Sequence, residues 1–335
     1  MAYAETVISL DARSSASDLD FVSHAHSDHI AAVKRSNSIL CSEQTAELIN
    51  TAYGLEPKLK DFVPKGIRLY DSGHMLGSKQ LYISDSGEGS SIVYSGDFQM
   101  MESVTTNPIK VKNADYLVID STYPNPEIKF DIRNDVETAL ARWTSRALKS
   151  GIVLFKAYAM GKAQELIKIL NESGITPVVN KKISRINRVY LKNGVKLSYA
   201  SAYDEESDYE SILRDNFAAV VDSKNFDNLV AAVGYAHKKR VYTATATGFS
   251  KSFRFNVDAQ FCLSDHADFK QSIEYIDAVS PKKVYTYGSN KEVFARNLSQ
   301  LGYKAEPYRG KEIKANVEIP IESVANARAH VLDME

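Results

Sequence analysis

Residues Ser23 to His29 read SHAHSDH and follow the apolar run LDFV directly, so four side chains able to bind metal, His24, His26, Asp28 and His29, stand within one turn of chain. The whole sequence holds seven histidines, and three of them are here. Imidazoles crowded this closely cost stability unless a metal or an acid pairs them. The segment therefore calls for a fold in which a strand ends in a metal-binding loop. Alternate residues of an extended segment point the same way, so His24 and His26 can reach one ion, while Asp28 and His29, on the turn beyond, can reach another. The competing reading is a polar loop that happens to hold three histidines, and the density of ligands outweighs it.

Two further residues earn attention from their order along the chain. His74 lies in DSGHMLGS, a Gly-rich turn between strand-like runs, and Asp97 lies in YSGDF after the run SIVYS. Taken singly, a loop His or Asp is more often a solvated cap than a ligand.

The runs ETVISL, LDFVS, SILCS, GIRLY, QLYIS, SIVYS and YLVID, separated by Ser, Gly and Asp, predict a meander-rich sheet region up to Asp120. From Asn134 the pattern becomes helical: Val136, Ala139, Leu140, Trp143 and Ala147 recur at helical spacing, with Asn134 or Asp135 available to cap the first turn. The strand GIVLF follows, then a helix opened by Gly161 with the apolar stripe Ala163, Leu166, Ile167 and Leu170, ended by Gly174. ITPVV, FAAVV, NLVAAVGYA and RVYTATA continue the alternation, which predicts a parallel sheet covered by helices as a separate α/β unit. After Phe261 come LSDHADF, a helical stretch near Ser272 to Ile276, the strand KVYTY and a helix from Lys291 to Leu301.

A chain of 335 residues suits two cores, and 44% apolar with 25% charged residues is the balance of an ordinary globular protein. The amino terminus lacks a basic stretch with a long apolar run, and no run approaches the ~18 apolar residues of a membrane span. Cys41 and Cys262 are too few for a disulfide framework and are not spaced as zinc-binding thiolates, which suits a reducing cytoplasm. Net charge is −1, so any hold on nucleic acid must be local. Lys58-Leu59-Lys60, Lys181-Lys182, Lys238-Lys239-Arg240 and Lys282-Lys283 are candidate patches, though each more often marks a solvated turn.

The order HxHxDH, then His in a Gly-flanked turn, then Asp in SGD resembles the metallo-β-lactamase superfamily, and Asp11 in SLDA matches that family's early structural aspartate. Three more stretches resemble its β-CASP nuclease branch: DSTY at Asp120 to Tyr123, YAMGKAQELIKIL, and LSDHAD. The middle stretch departs from the usual pattern, with Lys156 and Lys162 where Pro and Arg are common. The resemblance implies a metallo-β-lactamase αββα sandwich of residues 1–125 and 256–335, interrupted by an inserted β-CASP α/β domain over 126–255. It also implies a zinc-dependent phosphodiesterase. His24, His26 and His74 would hold one Zn²⁺, Asp28 and His29 a second, and Asp97 would bridge them. Asp28, Asp97, Asp120 and His266 form the catalytic set, in which His266, held by Asp120, would protonate the leaving oxygen. In many RNA-cutting members a late His-Gly supplies a further ligand; here YTYGSN puts Tyr287 before Gly288, which weakens the second ion and the assignment to RNA.

RNA 3′-end processing or RNA turnover is the first reading, with RNA favoured over DNA as partner and no membrane. A DNA exonuclease of repair is the second. A binding partner without catalysis is opposed by the intact ligand set, and a small-molecule hydrolase by DSTY and LSDHAD. A homodimer and a processing complex both remain open, and the chain is expected to carry no binding module ahead of its first strand. Tyr123, Tyr158 and Phe98 lie beside the motifs, where a base could stack.

Overall fold

A computed structural model describes residues 7–13, 17–60, 63, 65–84, 90–204 and 207–310. Glu5 and Thr6 of ETVISL and the two chain ends assigned to the sandwich lie outside the described residues.

Alternation along the strands explains the layers. In β7, Tyr116–Asp120, Leu117 and Ile119 face one apolar cluster while Val118 faces another, as a period of two requires when both faces are covered. β7 sits inside a six-stranded sheet with β4 (Ile67–Asp71), β5 (Lys79–Ile83), β6 (Ile92–Tyr94), β13 (Lys283–Tyr287) and β14 (Ala305–Pro307), in the order β14-β13-β7-β6-β5-β4. One face packs on the helices α7 (Phe269–Val279) and α8 (Lys291–Gln300) through Tyr275, Ile276, Phe294 and Leu298. The other face meets a three-stranded parallel sheet of β1 (Ile8–Leu10), β2 (Leu19–Phe21) and β3 (Ile39–Leu40) through Phe21, Leu40, Leu81 and Tyr94. The far side of that small sheet is covered by α1, Glu43–Tyr53, through Ile39, Leu48 and Ile49. Helix, sheet, sheet, helix is the αββα sandwich. The expected meander holds only for β4, β5 and β6, whose pairings are antiparallel; β1 to β3 are parallel, and α1 was not anticipated from the sequence.

A five-stranded, wholly parallel sheet of order β12-β11-β8-β10-β9 comprises β8 (Gly151–Lys156), β9 (Val178–Val179), β10 (Ala218–Val221), β11 (Arg240–Ala246) and β12 (Ala259–Phe261). β8 reads as the continuous apolar run GIVLF because Ile152 and Leu154 face one cluster and Val153 and Phe155 the other. The covering helices are α2 (Arg133–Ala147), α3 (Lys162–Glu172), α4 (Lys181–Lys192), α5 (Tyr209–Arg214) and α6 (Phe226–His237). Asn134 and Asp135 do not cap α2; its N-cap is Ile132, and both lie inside the first turn. One apolar cluster continues from Leu48 and Ile49 of α1 to Ile183, Ile186 and Tyr190 of α4, so the two α/β units share a packed seam.

Candidate metal centre

The sheet topology gathers the candidate residues. β6, β7 and β13 run parallel, and β4 runs the same way because two antiparallel pairings separate it from β6. The carboxyl ends of all four strands therefore lie on one edge, which delivers His74 after β4, Asp97 after β6, Asp120 at the end of β7 and Tyr287 at the end of β13. β2 leads to His24, His26, Asp28 and His29. Gly96, at φ +56°, lets the Asp97 loop approach this segment: a Cβ there would sit 2.8 Å from that of Ser23.

Hydrogen bonds fix the tautomer of each ring. Ser23 Oγ donates to Asp11 Oδ2 at 2.6 Å and so accepts from His24 Nδ1 at 2.9 Å. His26 Nε2 donates to the carbonyl of Met160 at 3.2 Å, and His74 Nδ1 to the carbonyl of Asp265 at 2.9 Å. With those nitrogens protonated, His24 Nε2, His26 Nδ1 and His74 Nε2 are bare, and His26 Nδ1 lies 3.1 Å from each of the other two. Asp97 Oδ2 stands 3.5 Å from His24 Nε2 and 3.8 Å from His74 Nε2. Lone pairs aimed at one another repel unless a cation lies between them. Ligands of a tetrahedral ion with bonds of about 2.0–2.1 Å stand roughly 3.3 Å apart, so this donor set fits a metal. The four ligand atoms all lie within 4.8 Å of one another.

Electrostatics agree with ligation. Burial, aided by neighbouring imidazoles, holds His24 and His74 well below the ordinary histidine pKa; burial also lowers His26. These rings are neutral. Burial opposes protonation of His29 too, but Asp97 and Asp11 together outweigh it and push the group up to about 10. His29 Nδ1 donates to Asp11 Oδ2 at 2.8 Å, and Nε2 faces Asp97 Oδ2 at 3.5 Å and Asp28 Oδ2 at 3.6 Å. Asp11 is buried and also accepts from Ser23 N at 2.7 Å and Tyr94 Oη at 2.7 Å, so one carboxylate anchors both the loop and His29.

His266 arrives from the loop before α7. Its Nδ1 lies 3.2 Å from Asp120 Oδ2 and its Nε2 lies 4.0 Å from Asp97 Oδ2. Asp120 Oδ1 accepts from Thr122 N at 3.0 Å and Thr122 Oγ1 at 2.8 Å, which fixes the carboxylate that orients the ring. Burial disfavours the imidazolium, but the Asp120 hydrogen bond and the Asp97 charge outweigh it and push His266 up to about 9. The same position lets His266 join Asp97 and Asp120 in a second group able to hold an ion. The helix cap of α7 is Asp268, not His266.

The structure separates the remaining candidates. Phe98 is 1% exposed in the core and Tyr123 5% exposed, so neither offers a bare face to a base; Tyr158 is 69% exposed at the rim. Tyr287 Oη lies 3.4 Å from the carbonyl of Asp11, a long hydrogen bond, and its ring packs on Tyr94. The cleft of about 1200 Å³ holds six carboxylates, Asp11, Asp28, Asp97, Asp120, Asp222 and Asp265, against Arg13, Lys162, Lys182 and Lys291. Lys162 pairs with Glu165 and lies 3.7 Å from Asp265, and Lys182 pairs with Asp222 at 2.6 Å. A cleft lined mainly by positive side chains, which a phosphate-binding protein of net charge −1 would be expected to need, is not what is found: carboxylates outnumber cationic side chains. The patches at Lys58 and Lys282-Lys283 are satisfied locally by Asn37, Asp115 and Glu306. The carbonyls of Met160 and Asp265, which orient His26 and His74, were not foreseen, because a backbone oxygen leaves no residue-type signal.

No family model matches the chain. A probable DNA ligase of Opitutus terrae is 26% identical over 85% of this chain and 28% of its own length. An uncharacterized protein in the lig 3′ region of Acidianus ambivalens is 32% identical over 43% of this chain and 98% of its own. An RNase J-like protein of Methanocaldococcus jannaschii is 30% identical over 46% of this chain and 43% of its own. The chain thus spans about a quarter of the ligase and under half of the RNase J-like protein. No helix among the described residues is long and apolar enough to cross a membrane. With this sandwich, this ligand order and these relatives, the chain belongs to the β-CASP branch of the metallo-β-lactamase superfamily.

Proposed function

We propose that the protein is a zinc-dependent phosphodiesterase that cuts nucleic acid. The observation that carries this is the convergence of three bare imidazole nitrogens on Asp97, beside the Asp120–His266 pair. His24, His26 and His74 would hold one Zn²⁺ and Asp28 and His29 a second, with Asp97 within reach of both sets. Bound there, the ions supply Lewis acidity toward phosphoryl oxygen and water. His266 delivers a proton from Nε2 to the leaving oxygen, and Asp120 holds the ring and favours its charged form. A positioned acid of this kind contributes a factor of about a hundred to ten thousand. Residues 126–255 act as the inserted domain, with β12 as an added edge strand and Met160 reaching back to His26.

The substrate reading follows the RNase J-like relative: RNA, in 3′-end processing or turnover within the cytoplasm. A DNA exonuclease of repair is the second reading, favoured by Tyr287 in place of the late histidine and by the ligase relative that covers most of this chain. Elemental analysis of purified protein, with matched single-stranded RNA and DNA bearing free or blocked 5′ ends, tests both. Zinc should co-purify, and a chelator should abolish cleavage. Active protein without zinc or another imidazole-binding metal would end the proposed chemistry, and DNA cut tenfold faster than RNA would replace the first substrate reading by the second.

A further inference from the structure

Between β11 and β12 the chain reads Thr247-Gly-Phe-Ser-Lys-Ser-Phe-Arg-Phe-Asn256, and residues 251–256 are all exposed. Phe249, Phe253 and Phe255 show 38, 60 and 39% of their surface to solvent. Apolar rings grouped at a surface mark a place where something binds. The loop that presents them is tied down: the Gln260 amide donates to Ser250 O at 2.9 Å and Phe253 O at 3.2 Å, and its oxygen accepts from Phe255 N at 3.1 Å. Phe253 N donates to Phe249 O at 2.9 Å.

The rings form a row that leads out of the site. His266 lies 6.1 Å from Tyr123 between centroids, Tyr123 5.3 Å from Phe249, and Phe249 6.3 Å from Phe253. Exposure rises along it from buried Tyr123 to the outermost Phe253. Gly248 makes the contact with Tyr123 close, since a Cβ there would collide with the Tyr123 hydroxyl. Tyr123 and Phe249 line the same cleft as His26, His74, Asp97 and His266. Arg254 stands exposed between Phe253 and Phe255, whereas Lys251 is paired to Asp131 at 2.7 Å.

We propose that Phe249, Phe253 and Arg254 form a stacking platform on which the bases of a single-stranded nucleic acid lie as the strand passes between the histidine and aspartate cluster and the surface. Only unpaired bases can lie flat on a protein ring, and every base has such a face, so the platform tolerates any sequence. Arg254 supplies the cation that a phosphate beside those bases needs. The path of the strand rests on the phosphodiesterase reading; the stacking does not.

Binding of a fluorescent single-stranded oligonucleotide, read by anisotropy on a His266→Ala background so that the strand stays whole, tests it. Phe253→Ala should weaken binding roughly fivefold to a hundredfold, and Phe249→Ala likewise. Phe253→Trp should restore it, which separates stacking from mere folding. A strand of the same length made abasic should bind the parent weakly and lose nothing further on Phe253→Ala. Equal binding of normal and abasic strands, or no loss in either alanine variant, would overturn the platform and leave the rings as a face for a protein partner. Base-dependent binding by a wild-type protein that cuts no strand would instead overturn the function and leave the platform standing.

Discussion

On one side of Asp97 stand His24, His26 and His74, buried and neutral, each with its outer nitrogen bonded to a fixed acceptor and its inner nitrogen bare. On the other side stand His29, which two carboxylates hold in its charged form, and Asp28, whose side chain is 78% exposed. An ion entering the first side finds ligands already deprotonated and aimed; an ion entering the second must displace a proton and order a solvated carboxylate. The difference lies in the partners. Ser23, Met160 and Asp265 each orient one ring of the first set, whereas in the second Asp11 orients His29, and Asp28 meets the His29 ring at 3.6 Å. A seven-residue motif that looks uniform in sequence is thus pre-oriented at His24 and His26 and open to solvent at Asp28.

Asp97 belongs to both sides, so its loss should produce the largest effect. In Asp97→Ala, metal content and activity are expected to fall together, by more than the ten- to hundredfold that loss of a supporting partner costs. Metal analysis beside a rate measurement checks this. Activity lost with both metals retained would show that Asp97 does not hold them.

His266 should sort differently. His266→Ala is expected to slow turnover by roughly two to four powers of ten with metal content near normal, because a general acid acts in the transition state more than on ground-state binding. Asp120→Asn should be milder, since the amide oxygen can still accept from the ring but stabilises its charged form less. Loss of one metal equivalent in His266→Ala would make His266 a ligand of the weaker side, a role its distance to Asp97 and Asp120 permits.

Asp28→Ala should break the comparison most cleanly. On the proposed two-ion site, the second ion should leave while the one assigned to His24, His26 and His74 stays, giving one equivalent per chain where wild type would give two. If both ions leave, the two sides are not independent.

How far the sequence revealed this site depends on which atoms do the work. Side-chain candidates were legible because imidazole and carboxylate are rare in such density, and the fold brings His24, His26, His74 and Asp97 into one group with His29 beside Asp97. The acceptors that orient His26 and His74 were not, because backbone carbonyls of Met160 and Asp265 come from segments more than a hundred residues away. The alternating strands were legible from period and turn residues, yet α1 was hidden among them: Thr45, Leu48 and Ile49 form a short buried stripe, and the helix N-cap, Ser42, is the last residue of the strand run SILCS. Phe98 and Tyr123 were misplaced as stacking candidates because nearness to a motif says nothing of burial, while the exposed rings of 249–255 carried no motif to draw notice.

The smallest effect should come from Tyr287. If it were a ligand of the weaker side, it would have to act as a phenolate, but burial together with the Asp11 and Asp97 charges pushes its pKa upward, against the charged form. Its hydroxyl instead reaches the carbonyl of Asp11 at a distance where a hydrogen bond is weak, and its ring is held by packing against Tyr94 and Tyr308. Tyr287→Phe keeps the ring and removes only the hydroxyl. It should therefore cost less than about 1 kcal/mol in unfolding free energy and leave both metal equivalents and the cleavage rate within about twofold of wild type. Denaturant melts and metal analysis on the same sample measure both. Should Tyr287→Phe release one equivalent as Asp28→Ala is expected to, the phenol is a ligand after all, and the weaker side is held by three residues of this chain beyond Asp97.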